Sequence, residues 1–305
     1  MSSGESGTGS GQPPTAWRRQ MLKKLAKTAG KRKGEPLTSA DWQAYFEFGA
    51  QPQSRALKRL LRTLPSTPRC GFCGAPFAGI GSRIVRPLGY RPSRKNPNLC
   101  ALCVELAPPG GMTTDVGVVF ADLRNFTTKS ESMSPEQATV MLRHFYGCAE
   151  KVFFPEALID KLIGDEVMAL YLPIFVCRGG RRAVDNYDYG QLATVMIRHA
   201  RELLERIGYG TREGPAFDVG IGLDFGEVFV GNIGDHAVHD FTAIGDVVNT
   251  AARLQAQAAG GEVLASHRVT ELLDESVGTP EEIALKGKAD PVLAYRIKWF
   301  DGSAA

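Results

Sequence analysis

Two aspartates, each placed at the end of an apolar segment, carry the chemistry that this sequence suggests. Asp165 lies in the turn of a hairpin predicted over residues 157–172. Asp122 follows another apolar strand, Val116–Ala121. Two strands that end side by side would bring both carboxylates together, which predicts a two-cation site for phosphate chemistry. Lys161 offers a point charge beside this site. Taken alone, the hairpin could also be a solvated turn with a lysine on an edge strand.

A predicted helix over Asp246–Ala258 places Asn249 and Arg253 on one face, because they are four residues apart. An amide and a guanidinium that point the same way suit a polyphosphate and its sugar. Arginine also stabilises the charge that develops on a transferring phosphoryl group. The alternative, for each residue taken alone, is a buried asparagine and a surface arginine.

Four cysteines form two Cys-x-x-Cys pairs with 26 residues between them. This spacing lets two tight turns supply four thiolates to one tetrahedral ion, which favours structural zinc. Free thiols, a redox pair and an iron–sulfur cluster remain as alternatives. The intervening loop carries five basic residues and presents positive charge, whereas Cys148 and Cys177 stand in apolar stretches and are predicted to be core residues. The paired cysteines are Cys70, Cys73, Cys100 and Cys103, and the basic residues are Arg83, Arg86, Arg91, Arg94 and Lys95.

The distribution of charge divides the chain into two unlike halves. Residues 1–110 hold 18 Lys or Arg against 5 Asp or Glu, and residues 111–305 hold 18 against 28. The Pro-Pro-Gly-Gly stretch at 108–111 is predicted to be the linker between them. The basic half suits an acidic or nucleic-acid partner, or forms a solvated tail. The predicted order is a disordered tail (1–16), a basic helical segment (17–65), a four-cysteine module (66–108) and a catalytic domain (112–300).

Composition and hydropathy indicate a soluble globular protein, with 43% hydrophobic and 23% charged residues. The longest uncharged apolar run, Val167–Cys177, has 11 residues and contains a proline, so it is too short to span a bilayer. The N-terminus lacks the apolar segment of a secretory signal. We therefore expect a cytoplasmic protein.

From Thr113 onward, strands and helices alternate, which predicts an α/β (α+β) domain. The Ser134–Gln137 capping box, with proline at the first helical position, opens a helix that runs to about Val152. A second hairpin is predicted across Gly226-Glu227. The other predicted elements are a helix over Gly190–Ile207 and strands over Phe241–Ile244, near Ile283–Lys286 and over Val292–Trp299.

Five motifs resemble, in this order, the catalytic domain of class III adenylyl and guanylyl cyclases, from about Thr113 to Trp299. The resemblance implies a ferredoxin-like cyclase sandwich, preceded here by a small N-terminal helical and zinc-ribbon-like module. The motifs are Phe-Ala-Asp-Leu-Arg-Asn-Phe-Thr at 120–127, Lys-Leu-Ile-Gly-Asp-Glu-Val-Met-Ala at 161–169, the glycine-rich 220–234, Phe-Thr-Ala-Ile-Gly-Asp-Val-Val-Asn at 241–249, and Leu-Lys-Gly-Lys at 285–288.

The same resemblance implies a role for each matching residue. Asp122, Asp165 and the backbone carbonyl of Leu123 would hold two Mg²⁺ or Mn²⁺ ions. The ATP 3′-hydroxyl would attack the α-phosphate in line, and pyrophosphate would leave. The remaining implied roles are purine reading by Lys161 and Thr242, substrate binding by Phe126 and Thr127, ribose orientation by Asn249, stabilisation of the α-phosphate by Arg253, and contact with the distal phosphates by Lys286.

Thr242 departs from the best-known family pattern, because many members carry an aspartate there, but threonine at this position is similar to many bacterial members. A hydroxyl can donate to or accept from the adenine edge. Guanylyl cyclases typically carry glutamate where this chain has Lys161, so the lysine favours ATP and adenylate cyclase activity, with guanylate cyclase as the alternative. Family members work as head-to-tail homodimers with shared active sites. In such dimers the metal carboxylates come from one chain, and the residues that match Lys161, Thr242, Asn249 and Arg253 come from the other. Since this chain carries both sets, the resemblance implies two equivalent sites per dimer.

Three other functions each agree with part of the sequence. A cyclase-like domain that only senses nucleotide would usually lack a metal aspartate or the Asn–Arg pair, and this chain has them all. A diguanylate cyclase shares the Gly-Asp-Glu turn at 164–166, but this chain lacks that family's double glycine and closing phenylalanine. A nucleic-acid-binding protein led by the basic half could coexist with the enzyme.

Overall fold

A computed structural model gives the fold of residues 42, 61, 63, 64, 68–71, 73–104, 109–177, 186–235 and 238–300. The chain divides into two units, Met1–Pro36 and Leu37–Ala305, and the described residues all belong to the second. The predicted tail and most of the predicted helical segment at 17–65 lie outside the described residues. Within that segment Trp42, Leu61, Thr63 and Leu64 are described, and the first three are helical.

The described residues contain eight strands: β1 (Gly110–Leu123), β2 (Leu158–Ile163), β3 (Glu166–Tyr171), β4 (Val219–Asp235), β5 (Val238–Ile244), β6 (Glu262–Ser266), β7 (Thr279–Ile283) and β8 (Val292–Lys298). They form one sheet in the order β2-β3-β1-β4-β6-β8-β7, and β5 pairs with β4 off this path. The β4–β6 pair is parallel, and the other pairs are antiparallel. This confirms the expected mixed α+β fold.

The described helices are α1 (Gly79–Val85), α2 (Phe126–Glu131), α3 (Pro135–Phe153), α4 (Pro173–Val176), α5 (Tyr189–Ile207), α6 (Asp246–Gln257) and α7 (His267–Thr270), with a short 3₁₀ turn at Arg86–Leu88. The predicted capping box is present on α3: the Ser134 hydroxyl accepts from the Gln137 amide, and the Gln137 side chain accepts from the Ser134 amide. Among the described helices, none has both the length and the apolar character needed to cross a bilayer.

The two longest helices, α3 and α5, cover one side of the sheet, which we call the first face. Side chains alternate along β1, so Val119, Ala121 and Leu123 point to this face. There they share an apolar cluster with Phe145 of α3 and Leu203 of α5. This cluster is the main core.

The opposite side, which we call the second face, has two covers. Val118 and Phe120 of β1 lie on it, and the alternation places Asp122 there as well. Helix α6 covers one part. Residues 68–71 and 73–104, which we call the four-cysteine segment, cover another part, because their cysteines share an apolar cluster with Val118 and Leu170.

Hydrogen bonds join the four-cysteine segment to the beginning of β2. The Lys95 carbonyl accepts from the Ile159 amide at 3.0 Å. The Asn96 side chain donates to the carbonyl oxygens of Phe154, at 3.1 Å, and Ala157, at 2.6 Å. The segment is therefore part of the body that contains the sheet.

The hairpin predicted across Gly226-Glu227 is wrong, because β4 runs through this point as one strand. Gly226 has φ = +148°, a conformation that side chains disfavour, so the backbone departs locally from regular strand geometry without reversing. β1 stays paired with β4 on both sides of Gly226, which itself lies opposite Val116.

Three smaller features also differ from the prediction: the end of the linker, one additional strand and the end of another strand. The predicted linker is wrong at its end, since Gly110 and Gly111 begin β1. β6 has no counterpart among the predicted strands. Its five residues are all buried, and a strand buried on both faces lacks the alternation that marks a half-exposed one. The strand predicted near Ile283–Lys286 ends at Ile283, and Lys286 lies in the turn that follows.

Close packing of α6 on β4 generates a stability prediction. A Cβ atom at Gly222 would lie 2.2 Å from the Ala251 carbonyl oxygen and 2.3 Å from the Gln255 amide nitrogen. Gly222→Ala should therefore push α6 off the sheet and lower the free energy of unfolding by about 2–3 kcal/mol, as overpacking does. Chemical denaturation measures this change.

Gly147→Ala is the matched control, because a Cβ at Gly147 of α3 would meet nothing within 4 Å. This change should be neutral or stabilising by up to about 1 kcal/mol through helix propensity. Equal stability of the two variants would contradict the packing argument.

Candidate active site

The end of β1 and the β2–β3 turn bring Asp122 and Asp165 together, as predicted. Asp122 lies opposite Glu166 in the β1–β3 ladder, and the Leu123 amide donates to the Asp165 carbonyl at 3.2 Å. Burial raises the pKa of Asp122 to about 6, with a further contribution from the Asp165 carboxylate and opposition from Arg124. Burial also raises the pKa of Glu166 to about 7, and both aspartates add to the effect.

This cluster fits a divalent metal ion. Carboxylate oxygens are the ligands that Mg²⁺ and Mn²⁺ prefer, and a bound cation relieves the repulsion between crowded carboxylates. Arg124 already supplies one positive charge, because its guanidinium donates to the Asp122 carboxylate. It also donates to the carbonyl oxygens of Gln255 and Ala258 at 3.4 Å, which ties the cluster to the end of α6.

Lys161 and Thr242 also meet, although they come from β2 and β5. Lys161 Nζ donates to Thr242 Oγ1 at 2.6 Å. Both residues contact Asp160: the Thr242 hydroxyl donates to its carboxylate at 2.6 Å, and Lys161 Nζ lies 3.2 Å from it. The three side chains form one hydrogen-bonded group.

A bulge in β2 explains how Asp160 and Lys161 reach the same group. Neighbouring residues of a regular strand point to opposite faces. The β2–β3 pairing shifts between Ile159 and Lys161, so Asp160 is an extra residue opposite Met168. Such a bulge re-aims side chains, and here it turns two consecutive polar residues towards the second face.

Helix α6 carries Asn249 and Arg253 on one face, as predicted; Asn249 is exposed and Arg253 is half-buried. The turn at 285–288 lies beside Arg253, since a Cβ at Gly287 would be 3.3 Å from Arg253 Nη2. Lys288 of this turn donates to Asp246 at 2.6 Å and holds the pKa of that carboxyl below its usual range. The predicted phosphate contact Lys286 is exposed.

The two other predicted substrate residues lie at the start of α2. Thr127 is exposed, and Phe126 packs against the main core. Asn125, the residue before this helix, has φ = +59° and lets the chain turn sharply after β1.

The four predicted metal-binding cysteines also come together. Their sulfur atoms all lie within 4.8 Å of one another, and all four residues are buried. The Cys73–Cys100 and Cys100–Cys103 sulfur distances are 3.6 and 3.2 Å. Amides of Cys73 and Cys100 donate to Cys70 Sγ at 3.4 and 3.2 Å, an environment that suits a thiolate. This donor set could hold one tetrahedral ion. Cys148 and Cys177 are buried elsewhere, as expected of core residues.

Among the site residues, Arg124, Asp160, Glu166 and Lys288 have no counterpart among the predicted ones. The same is true of Lys95, whose Nζ donates to the Asp160 carboxylate at 2.8 Å. Arg124 and Lys288 stand inside the motifs that carry the resemblance, so their position along the chain was a signal. Asp160 precedes Lys161 directly, but only the bulge makes it a neighbour of Thr242. Lys95 comes from the four-cysteine segment, and its place depends on tertiary packing alone.

Comparison with known proteins now adds to this geometry. The pattern of the "Adenylate and Guanylate cyclase catalytic domain" family matches residues 111–298, which is more than half of the chain. This match covers both aspartates, the Lys161–Thr242 pair and α6. It leaves out the four-cysteine segment.

Several relatives carry adenylate cyclase names, and two of them show the extent of the likeness. The chain is 29% identical over 216 residues to an adenylate cyclase of Anabaena cylindrica, covering 63% of this chain and 40% of the relative. It is 30% identical over 160 residues to adenylate cyclase 1 of Rhizobium meliloti, covering 51% of this chain and 23% of the relative. The chain therefore matches less than half the length of each.

Among solved structures, a bacterial light-regulated adenylyl cyclase superposes with a TM-score of 0.51. The two proteins are 20% identical, and the superposition covers 82% of this chain and 68% of the other. At this identity, the likeness shows a shared fold.

Proposed function

Because the chain belongs to the family of adenylate and guanylate cyclase catalytic domains, we propose that it converts ATP into 3′,5′-cyclic AMP and pyrophosphate. The observation that carries this proposal is the juxtaposition of the Asp122 and Asp165 carboxylates at the end of β1. The same chain also carries a purine-reading pair and a phosphate-binding helix. The product would act in intracellular signalling.

Asp122, Asp165 and the Leu123 carbonyl would hold two Mg²⁺ or Mn²⁺ ions, which lower the pKa of the ATP 3′-hydroxyl and neutralise the leaving pyrophosphate. The protein residues position the reactants. Asn249 orients the ribose, and Arg253 stabilises charge on the α-phosphate. Contacts with the substrate are also assigned to Phe126, Thr127 and, at the distal phosphates, Lys286.

Adenine is the proposed base because Lys161 and Thr242 offer a donor and an acceptor side by side. Lys161 donates to Thr242 in the free protein, so a base that bound here would replace one hydrogen-bonded partner by another. Guanylate cyclase activity is the alternative, and a nucleotide-sensing domain with weak turnover is another. Product analysis with both nucleotides separates these functions.

We assign the active form to a homodimer with shared sites. Exposed apolar side chains flank both halves of the proposed site. Leu162 and Ile163 precede the Asp165 turn, and Phe229 and Ile244 pair directly beside the start of α6. Exposed apolar patches of this kind mark interaction surfaces. A head-to-tail partner would cover them and join the aspartates of one chain to α6 of the other.

Zinc is the proposed occupant of the four-cysteine cluster. One ion at about 2.3 Å from each sulfur holds tetrahedral sulfurs about 3.8 Å apart, which suits sulfur atoms within 4.8 Å of one another better than a cluster of several irons does. A cytoplasmic setting agrees with an ATP substrate and with six cysteines, all within the described residues, that lie outside disulfides. An acidic or nucleic-acid partner for the basic N-terminal half is the remaining proposal.

The first prediction concerns the metal aspartates. Asp122→Asn and Asp165→Asn keep the side-chain shape but remove the charge, so cyclic AMP formation should fall about 100-fold or more. Chromatography of products from ATP and GTP, with Mn²⁺ and Mg²⁺, measures the loss. Asp115→Asn is the control, because Asp115 lies on the same strand and its carboxylate accepts from Tyr189; its activity should stay within about twofold of the starting value. Folded metal-aspartate variants that keep their activity would overturn the assignment.

The second prediction tests the shared site. Inactive Asp122→Asn and inactive Arg253→Ala chains, mixed in equal amounts, should regain about a quarter of the starting activity. Random pairing makes half of the dimers mixed, with one intact site each. A tagged subunit reports whether the chains exchange. Exchange without recovery would show that each site is built within one chain.

The third prediction concerns the cysteine cluster. Metal analysis should find one zinc per chain, and Cys70→Ser should lose it along with thermal stability, because metal binding supports folding of a small segment. Cys148→Ser, a change at a buried cysteine outside the cluster, should keep the zinc. Iron in the purified protein, or a metal-free protein with four freely titrating thiols, would contradict this prediction.

A further inference from the structure

Lys95 reaches from the four-cysteine segment to the residues proposed to read the purine. Its Nζ donates to the Asp160 carboxylate at 2.8 Å and to the carbonyl oxygens of Asp160 and Phe241, at 2.7 and 2.8 Å. The exposed carboxylate of Asp240 lies 3.0 Å away. Phe241 and Asp160 directly precede Thr242 and Lys161. The ammonium group therefore ties together the two strands that carry the purine-reading pair.

The backbone of the four-cysteine segment fixes the position of Lys95. Its carbonyl accepts from the Ile159 amide, and its side chain is only 12% exposed. The turn that follows is closed by the Leu99 amide on the Asn96 carbonyl, at 3.0 Å. The Gly71 amide then holds the Asn98 carbonyl at 2.8 Å, which joins this turn to the first cysteine pair.

Asp160 requires such a partner, because its side chain is completely buried. An unpaired carboxylate would carry a large desolvation penalty there. Lys95 supplies a charge from one side, and Lys161 and the Thr242 hydroxyl approach the other carboxylate oxygen. As a carboxylate paired with Lys95, Asp160 offers the Thr242 hydroxyl acceptor oxygens only.

The consequence for Thr242 follows from the single proton of its hydroxyl. That proton is donated to Asp160, and the oxygen accepts from Lys161. With its proton engaged, Thr242 can offer a base only lone pairs, while Lys161 offers only donors. The pair then has a fixed polarity, which matches one arrangement of a purine edge and rejects the reverse.

Adenine and hypoxanthine present reversed edges. Adenine has an acceptor at N1 beside a donor on its 6-amino group, whereas hypoxanthine has a donor at N1 beside a 6-oxo acceptor. A hydroxyl that is free to rotate could bind either base. Discrimination between adenine and hypoxanthine therefore depends on which group accepts the hydrogen bond from the Thr242 hydroxyl.

We propose that Lys95 and Asp160 are positioning residues that set the purine preference of this site, by holding the Thr242 hydroxyl as a hydrogen-bond acceptor. The proposal rests on the proposed function in one respect, that Lys161 and Thr242 face the purine. It gives the four-cysteine segment a part in substrate choice.

The test compares ATP with inosine triphosphate, on the full chain with Mn²⁺, by kcat/KM and by calorimetric binding. Lys95→Met, which keeps length but removes the charge, should lower the ATP-to-inosine-triphosphate ratio about tenfold or more, mainly through KM, because a buried polar partner sets such discrimination. Lys95→Arg should restore most of the ratio. Asp160→Asn should also lower this ratio. The asparagine amide can donate to the Thr242 oxygen, which leaves the Thr242 hydroxyl free to donate to a base.

Two further variants calibrate the result. Thr242→Val removes the hydroxyl and should lower the ratio by itself. Lys151→Met changes an exposed lysine at the end of α3 and should leave the ratio unchanged. Thermal unfolding checks that each variant is folded. If Lys95→Met does not fold, Asp160→Asn alone tests the proposal.

The outcomes separate this proposal from the proposed function. An unchanged ratio in Lys95→Met and Asp160→Asn, together with a lowered ratio in Thr242→Val, would overturn the positioning role and leave the purine-reading pair intact. An unchanged ratio in Thr242→Val would overturn both the pair and the positioning role. A wild-type protein without turnover would contradict the cyclase proposal, and the binding ratios would still decide the role of Lys95.

Discussion

The continuous pairing of β1 with β4 is the constraint on which the rest of the structure depends. It runs without a break from Gly110 opposite Asn232 to Leu123 opposite Val219. Because neither strand slips, alternate side chains of β1 keep to one face along its whole length, and the apolar ones fill the core under α3 and α5. A register shift of one residue would point the Asp122 side chain into that core. The packing of the first face therefore decides where the carboxylate of the second face lies.

The second face differs from the first because two unrelated segments share it. Helix α6 lies so close to β4 that glycine is needed at position 222. The four-cysteine segment covers another part of the same face. The family pattern begins at residue 111, but the structural unit around the site includes residues from the four-cysteine segment. In this protein the segment before the family domain is packed as part of the same body.

The features that the sequence predicted correctly are those with local signals. The β2–β3 hairpin, the caps of α3, the face of α6 with Asn249 and Arg253, and the four cysteines each follow from spacing over a few residues. The misses have non-local causes. β4 stays one strand because β1 holds both halves, and β6 is buried on both faces, so its pattern does not alternate. Lys95 stood among several basic residues, and nothing in the sequence marks which of them meets a buried carboxylate.

In the proposed role of reading the purine, threonine at position 242 specifies a base less strictly than aspartate would, because a carboxylate only accepts, whereas a hydroxyl can also donate. The Asp160 carboxylate lies directly beside Thr242 and accepts the hydrogen bond that the threonine hydroxyl donates. That arrangement buries a charge, and burial is tolerable only with a cation held in place. A flexible surface lysine would lose much side-chain entropy in this role, but the backbone of Lys95 is already fixed by the turn next to Cys100. The departure at Thr242 and the presence of the four-cysteine segment can then be understood together, since the segment supplies the charge that lets a threonine act like an acceptor-only side chain.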